Sequence, residues 1–213
     1  MGGSDLEHRI ARIADGIAEV QSQISWIEAH VRGRNRSLRR WRPQPMPAGE
    51  LDALETQVGV ALPAEYRAFL TTLGTGPHDT LLQPDAVAAD NRFDRSERDP
   101  WAHVRRPFSL VEGVATGPYQ TVDEEVFLLD GALMIEPGGC TFYTVLAVTG
   151  ELAGTVWTNT WAKPESPCEY VWVPAQPMSV AAAGSEPVTF LQWFEARLDW
   201  LRTSVAKPTA TPC

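Results

Sequence analysis

The feature of this sequence that most constrains its fold is an unbroken hydrophobic stripe at the start of the chain. Ser4-Asp5-Leu6-Glu7 has the form of a capping box, in which a serine and a glutamate three residues later satisfy the first amide groups of a helix. Aliphatic residues then recur at alternating intervals of four and three residues: Leu6, Ile10, Ile13, Ile17, Val20, Ile24, Ile27 and Val31. This spacing predicts one long amphipathic helix, which could lie on its own domain, self-associate or bind a partner helix.

An arginine-rich segment separates this helix from the rest of the chain. Six arginines lie between Arg32 and Arg42, and three prolines follow between Pro43 and Pro47. We therefore predict a helix and linker over residues 1–43, a main domain over 44–204 and a disordered tail over 205–213. The arginines could contact nucleic acid, but the run is short and the attached domain is acidic, which favours a solvated linker.

The charge of the chain is distributed unevenly. Residues 1–43 carry eight Lys or Arg and five Asp or Glu, whereas residues 44–213 carry ten and twenty-two. Between Pro107 and Ala162 there are seven acidic residues and no Lys or Arg. The electric field of such an acidic domain repels nucleic acid and speeds association with basic proteins. A basic protein partner is therefore favoured, and a nucleic-acid partner is not.

Length and composition limit the remaining classes. The 213 residues are enough for one domain with an appendage, and no apolar run reaches the roughly 18 residues that span a bilayer. Because the N-terminus also lacks the pattern of a signal peptide, we expect a cytoplasmic protein without a membrane segment. The three cysteines and four histidines lack the spacing of a disulfide framework or a metal site, so neither a metal nor a cofactor is predicted.

The stretch ALPAEYRAFLTTLGTG, residues 61–76, ends in glycines that could either form a phosphate-binding loop or end a helix. A nucleotide-binding loop places glycines after a strand and before a helix, but here they follow a helical stripe. Pro63 suits the first position of that helix and Gly74 its end. An earlier helix ends at Gly59 in the same way. The apolar residues of the two predicted helices are Leu51, Leu54, Val58, Tyr66, Phe69, Leu70 and Leu73.

The second half of the chain reads as hairpins closed by one helix. Residues 77–106 are polar and rich in turns, which predicts a long surface loop. Strands are predicted at 126–129, 132–135, 141–148, 154–157 and 170–173, with turns at 130–131, 137–139 and 149–150. A helix with an apolar face is predicted from about Pro187, and short links between the strands indicate an antiparallel sheet.

Taken in order, several motifs resemble those of the SUKH superfamily. They are QVGVALPAEYRAFL at 57–70, Gly74-Thr75-Gly76-Pro77, Pro107-Phe108, GCTFYTVLAVTGELAGTVW at 139–157 and the terminal FLQWFEARLDWL. The resemblance covers about residues 47–203. It implies an α+β domain with a largely antiparallel sheet against helices, here with an extra N-terminal amphipathic helix, and no catalytic apparatus. It also implies the function of many bacterial members, which are immunity proteins that bind and neutralise toxins.

Two groups of residues are candidates for contact with a partner. The first is acidic, because carboxylates can occupy the groove that a basic nuclease uses for phosphates, and the second is aromatic, because tryptophan and tyrosine are common in binding hot spots. For the acids an ordinary solvated surface is an equal alternative, and for the aromatic residues a core position is the commoner role. The candidates are Asp123, Glu124, Glu125, Asp130, Glu136, Trp157, Trp161, Tyr170 and Trp172.

These observations lead to one main functional hypothesis. A cytoplasmic immunity protein would neutralise a basic, nucleic-acid-targeting toxin domain by occlusion, without an enzymatic activity of its own. Exposed adjacent acids give no sign of the cleft and shifted pKa values that acid-base catalysis needs, and no catalytic residue is predicted. The alternative is a regulatory or scaffold module that assembles through its N-terminal helix.

Overall fold

The computed structural model describes residues 3–27, 42–74, 101–108, 130–139, 142–163, 166–175 and 186–206. The helices are α1 (Gly3–Ile27), α2 (Ala48–Val58), α3 (Ala64–Leu73), a 3-10 helix (His103–Arg105) and α4 (Phe190–Ala206). The strands are β1 (Ala132–Gly139), β2 (Phe142–Ala147), β3 (Thr155–Lys163), β4 (Ser166–Pro174) and β5 (Val188–Thr189). The described part of the chain therefore has the α+β fold that the sequence predicted, with an N-terminal helix in addition.

The five described strands form one antiparallel sheet. Its order is β1-β2-β3-β4, and β5 pairs with the start of β3. Leu146 lies opposite both Leu133 and Val156, so these three residues project from one face, while Trp157 projects from the other. Both faces are covered, because Leu146 is fully buried and Trp157 is only 6% exposed. The strands read as continuous apolar runs for this reason.

Two local predictions in this region were wrong. Residues 137–139 were predicted as a turn, but β1 continues to Gly139 and absorbs the irregularity as register shifts between Met134 and Glu136 and between Pro137 and Gly139. The last helix was predicted from Pro187, but Val188 and Thr189 first pair with β3, and α4 begins at Phe190. A two-residue strand is too short to leave a periodic signal in the sequence.

Gly59 and Gly74 end α2 and α3 as predicted, whereas the start of α3 is shifted by one residue. Gly59 adopts a left-handed conformation and donates its amide to the carbonyl of Glu55, which ends α2. Pro63 is the residue before the first turn of α3 and not the first helical residue. Gly74 ends α3 and donates its amide to the carbonyl of Leu70. The glycines of the 61–76 stretch therefore include a helix stop, as predicted.

The stripe of α1 faces the body of the same chain. Ile10, Ile13, Ile17 and Val20 are 1–3% exposed and belong to one hydrophobic cluster with residues of α3, α4 and the sheet. Three arrangements were predicted for this helix: packing on its own domain, self-association and binding of a partner helix. For residues 10–20 the structure shows the first of these. The hydrophobic core is therefore continuous between α1 and the rest of the described chain.

Gly16 lets α1 approach α4 closely. A Cβ at this position would lie 2.7 Å from Nη2 of Arg202 and 3.2 Å from Cδ1 of Leu198, both on α4. Because the nearest atom is the end of a flexible arginine side chain, an alanine at this position would require Arg202 to move and Leu198 to shift by a few tenths of an ångström.

Candidate interaction surface

Two of the predicted partner-binding acids are engaged within the chain. Asp130 is 7% exposed and pairs with Nη1 of Arg106 at 3.2 Å. Glu136 forms a two-point pair with Arg197 of α4, with nitrogen–oxygen distances of 2.7 and 2.9 Å. A carboxylate held by an arginine in this way offers a partner little free charge. Both acids are therefore paired within the fold, and neither presents the open acidic surface that the sequence suggested.

The acidic triplet Asp123, Glu124 and Glu125 lies outside the described residues. The same applies to residues 75–100, which make up most of the predicted long loop, and to most of the arginine-rich segment. Within the acid-only stretch from 107 to 162, Glu151 is a described and exposed carboxylate, on the turn between β2 and β3.

The aromatic candidates divide into two groups. Trp157 and Trp172 are 6% and 3% exposed, and their rings lie 6.3 and 6.1 Å from the ring of Phe108. The indole nitrogen of Trp157 also donates to Oγ1 of Thr155 at 2.7 Å. A ring buried in this way offers a partner almost no surface, so these two tryptophans belong to the core. Trp161 and Tyr170 lie opposite each other on β3 and β4, and their side chains are outside what the structure describes.

An ion cluster that the sequence did not reveal joins three helices. Arg9 of α1 donates to Glu65 of α3 at 3.0 Å and to both oxygens of Glu195 of α4 at 3.0 and 3.2 Å. The second oxygen of Glu65 accepts the amide of Leu191, in the first turn of α4, at 2.9 Å. The hydrogen bond to Glu195 is the main cause that raises the pKa of Arg9. Glu65 lies in the first turn of α3, where a negative charge is favourable, and it also caps α4.

A second network fixes the corner between α2 and α3. Glu55 accepts the amide of Leu62 at 2.8 Å and pairs with Arg67, which also pairs with Asp52 at 2.8 Å. The corner is further held from the 101–108 segment, where Nη1 of Arg105 donates to the carbonyl of Val58 at 3.1 Å. These charges orient the start of α3 and with it the position of Glu65.

A cleft of about 310 Å³ opens where α3, the β2–β3 turn and β5 meet. The loop before α3 forms one wall with Ala61 and Pro63, and the turn forms the other with Ala153 and Gly154. Glu65 is the one ionisable side chain among the described residues that line it. Its walls are mainly methyl and methylene groups, so the cleft suits an apolar group more than a polar one.

Two general properties of the described residues bear on the class of site. They contain no group of three or more His, Cys, Asp or Glu side chains placed to hold a metal ion. None of their helices has both the length and the apolar character needed to cross a membrane.

Comparison with models of protein families, with curated proteins and with solved structures finds no match to this chain.

The sequence did not reveal the ion cluster or the cleft, because each is formed by segments that lie far apart in the chain. Glu65 and Leu191 are 126 positions apart, and Arg9 and Glu195 are 186 apart. The one available signal for the ion cluster was Arg9 itself, an arginine next to Ile10 in the hydrophobic stripe. Long side chains beside an apolar stripe often pair with charges on the helix that the stripe contacts.

Proposed function

We propose that this protein is an immunity protein of the SUKH type, which binds a basic toxin domain and neutralises it by occlusion. The observation that carries the proposal is that the separated motifs of the resemblance pack against one another. The ring of Phe69, from the 57–70 motif, lies 5.2 Å from Phe190 and 4.8 Å from Phe194 of the terminal motif. These two motifs therefore contribute to one core, as a shared fold would require.

The Pro107-Phe108 motif and the described part of the 139–157 motif contribute to the same core. The Pro107-Phe108 motif lies against the turns that flank β1 and β2, since Oγ1 of Thr149 donates to the carbonyl of Arg106 at 2.6 Å and accepts the amide of Phe108 at 3.2 Å. A Cβ at Gly131 would lie 2.2 Å from the nitrogen of Phe108, so only glycine fits there. Phe108 in turn contacts the two buried tryptophans of the sheet. A resemblance built on such interlocking positions supports a shared fold.

The acidic excess of the main domain supports the basic character of the partner. Residues 44–213 have twelve more acidic than basic residues, and this excess accelerates the encounter with a basic surface. Because Asp130 and Glu136 are paired internally, we assign the long-range attraction to the remaining acids, above all to Asp123, Glu124 and Glu125.

Co-expression tests the proposal. Bacteria that produce the toxin domain encoded beside this protein should stop growing, and growth should return when this protein is co-produced. The two proteins should then co-elute as one complex in gel filtration. Equal killing with and without this protein, together with separate elution, would overturn the proposal.

Charge reversal tests the assignment of the attraction. Replacement of Asp123, Glu124 and Glu125 by Lys should slow association, most strongly at low ionic strength, because screening removes the effect at high salt. The matched control replaces three exposed acids elsewhere, Glu7, Asp15 and Glu50, by Lys. Equal slowing by both sets would assign the attraction to net charge and not to the triplet.

The scaffold alternative gains no support from residues 10–20 of α1. A stripe that assembles copies of a chain must be accessible, whereas Ile10, Ile13, Ile17 and Val20 are buried against the same chain. Light scattering of the full chain should therefore show a monomer at micromolar concentration.

A further inference from the structure

We propose that the cleft between α3, the β2–β3 turn and β5 is the docking point for an apolar side chain flanked by lysine or arginine in a protein partner. The inference rests on the proposed function, since it assigns to the basic partner a specific place of contact. Four properties of the cleft carry it: its size, its lining, its engaged polar groups and the charge of its rim.

The size and lining fit a single large side chain. The volume of about 310 Å³ is at the lower end of the roughly 300–1,000 Å³ of ligand sites. The two main walls approach each other at Gly154, where an added Cβ would lie 3.7 Å from Cβ of Pro63. Ala64 and Ala153 are exposed, so their methyl groups are open to an incoming residue. The cleft is thus a shallow apolar notch at the surface.

The hydroxyl groups that line the cleft already have partners. Oγ1 of Thr155 donates to the carbonyl of Leu152 at 2.6 Å and accepts the indole hydrogen of Trp157 at 2.7 Å. Oγ1 of Thr189 accepts the amide of Gln192 at 3.5 Å. A polar occupant would exchange its hydration for few new hydrogen bonds, whereas an apolar occupant loses only unfavourable contact with water.

The carboxylate of Glu65 is also engaged. Arg9 and the amide of Leu191 each hold one of its oxygens, and its side chain is 14% exposed. We therefore do not assign Glu65 to a direct ion pair with the occupant. Its bonds instead hold the start of α4 against the start of α3, beside the cleft.

The rim selects the charge of the partner. Three segments surround the cleft, residues 61–66, 148–156 and 186–192, and they contain no lysine or arginine. Besides the engaged Glu65, they contain two glutamates, Glu151 and Glu186. Glu151 lies two residues before Ala153 and Glu186 three residues before Thr189, and both are exposed. Lysine or arginine beside the apolar anchor would meet carboxylates of opposite charge, and acidic flanks would be repelled.

Synthetic peptides provide the test, with the full-length protein labelled with nitrogen-15 for NMR. The peptide acetyl-KKLKK-amide, at millimolar concentration, should shift the amide signals of Ala64, Ala153 and Thr189. The peptide acetyl-KKSKK-amide removes the apolar anchor, and acetyl-EELEE-amide reverses the flanks; both should bind at least about fivefold more weakly. No shifts with the first peptide, equal shifts with either control peptide, or shifts confined to another surface would overturn the proposal.

Two pairs of variants localise the binding. Ala153→Arg fills the cleft with a long cationic side chain and should abolish the shifts, while Ala53→Arg, at an exposed site on α2, should leave them unchanged. Glu151→Lys should weaken binding about two- to fivefold, and Glu50→Lys should not. Thermal unfolding checks that each variant is folded. Binding by Ala153→Arg equal to that of the unmodified chain would contradict the proposal.

Failure of this inference can be told from failure of the proposed function. If the unmodified chain and Ala153→Arg bind and neutralise the toxin equally, the cleft is not the docking point and the proposed function stands. If the peptides bind at the cleft but the toxin neither binds nor loses its activity, the proposed function fails and the cleft remains a peptide-docking site.

Discussion

At the scale of single residues, Gly74 occupies a position in the fold that requires glycine. Its backbone angles, φ 77° and ψ −155°, lie in a region that only glycine populates readily. The segment that contains Gln44 crosses the end of α3 at this point, and the backbone amide of Gln44 donates to the carbonyl of Leu73. A Cβ on Gly74 would lie 2.0 Å from the carbonyl oxygen of Gln44. The glycine is therefore required by its conformation and by the close approach of another segment.

Substitution of Gly74 by Ala should lower the free energy of unfolding by about 2 to 4 kcal/mol, from backbone strain and from the displaced segment. Chemical denaturation of both proteins measures the difference. Gly49 is the matched control, because its added Cβ would meet nothing within 4 Å. Gly49→Ala in α2 should leave stability unchanged or raise it by up to about 1 kcal/mol. Similar losses in the two variants would contradict this explanation.

Tyr66 gives a prediction of pH dependence. It is 3% exposed, and burial raises the pKa of its phenol above the ordinary value near 10. The folded state thus keeps the proton more tightly than the unfolded state, so stability is fully present below pH 10 and is lost as the pH rises above it. Relative to Tyr66→Phe, the unmodified chain should lose up to about 1.4 kcal/mol per pH unit above pH 10.

Denaturation of both proteins at pH 8 and at pH 11 measures this loss. The other tyrosines titrate in both proteins, so only the difference between the two reports on Tyr66. A difference that stays constant between the two pH values would show that the phenol of Tyr66 ionises as easily in the folded chain as in the unfolded chain.

At the scale of elements, the Arg9 cluster is the joint between α1, α3 and α4. Arg9 and Glu65 are 11% and 14% exposed at their side chains, so the pair is partly removed from water. Charges in such a position interact more strongly than charges at the surface, and the loss of one partner leaves the other poorly solvated.

A double-mutant cycle with Arg9→Met and Glu65→Gln should give a coupling energy of about 1 to 2 kcal/mol. The glutamine keeps an oxygen for the amide of Leu191, so the cycle isolates the ion pair. Arg67 and Asp52 provide the control, since their side chains are 38% and 64% exposed, and their coupling should stay below about 1 kcal/mol. A larger coupling in the exposed pair would contradict the role of the cluster.

At the scale of the whole molecule, α1 is part of the hydrophobic core. Its four buried aliphatic residues contribute about 1.5 to 3 kcal/mol each, or somewhat less when the compactness of the unfolded chain is considered. Their sum is comparable with the net stability of about 5 to 15 kcal/mol that is typical of a domain. We therefore expect that the rest of the chain is not stably folded without α1.

A chain that begins at Arg42 should consequently lose cooperative unfolding and bind a hydrophobic dye. Far-UV circular dichroism during heating and dye fluorescence measure the two effects. A peptide of residues 1–27, added in trans, should restore cooperative unfolding, and the same peptide with Ile13 and Ile17 replaced by Ser should not. Cooperative unfolding of the shortened chain within a few degrees of the full chain would contradict the prediction.

Local sequence determined the elements of this protein because their signals lie within a few residues. The intervals of three and four between apolar residues predicted α1, α2 and α3, and glycine correctly marked the ends of the last two. The strands at 132–135 and 141–148 followed from short, mainly apolar runs between turns. The short β5 and the continuation of β1 through residues 137–139 depend on pairing with other strands, and no local pattern predicted them.

Tertiary structure alone decided what the side chains do. Asp130 and Glu136 looked like free surface acids, but Arg106 and Arg197 pair with them across the fold. The stripe of α1 fitted three kinds of packing, and residues 10–20 are buried against the body of the same chain. These outcomes depend on residues up to 186 positions apart. A single sequence records the periodicity of each segment but not the partner that each segment meets, because that partner is set by the packing of the whole core.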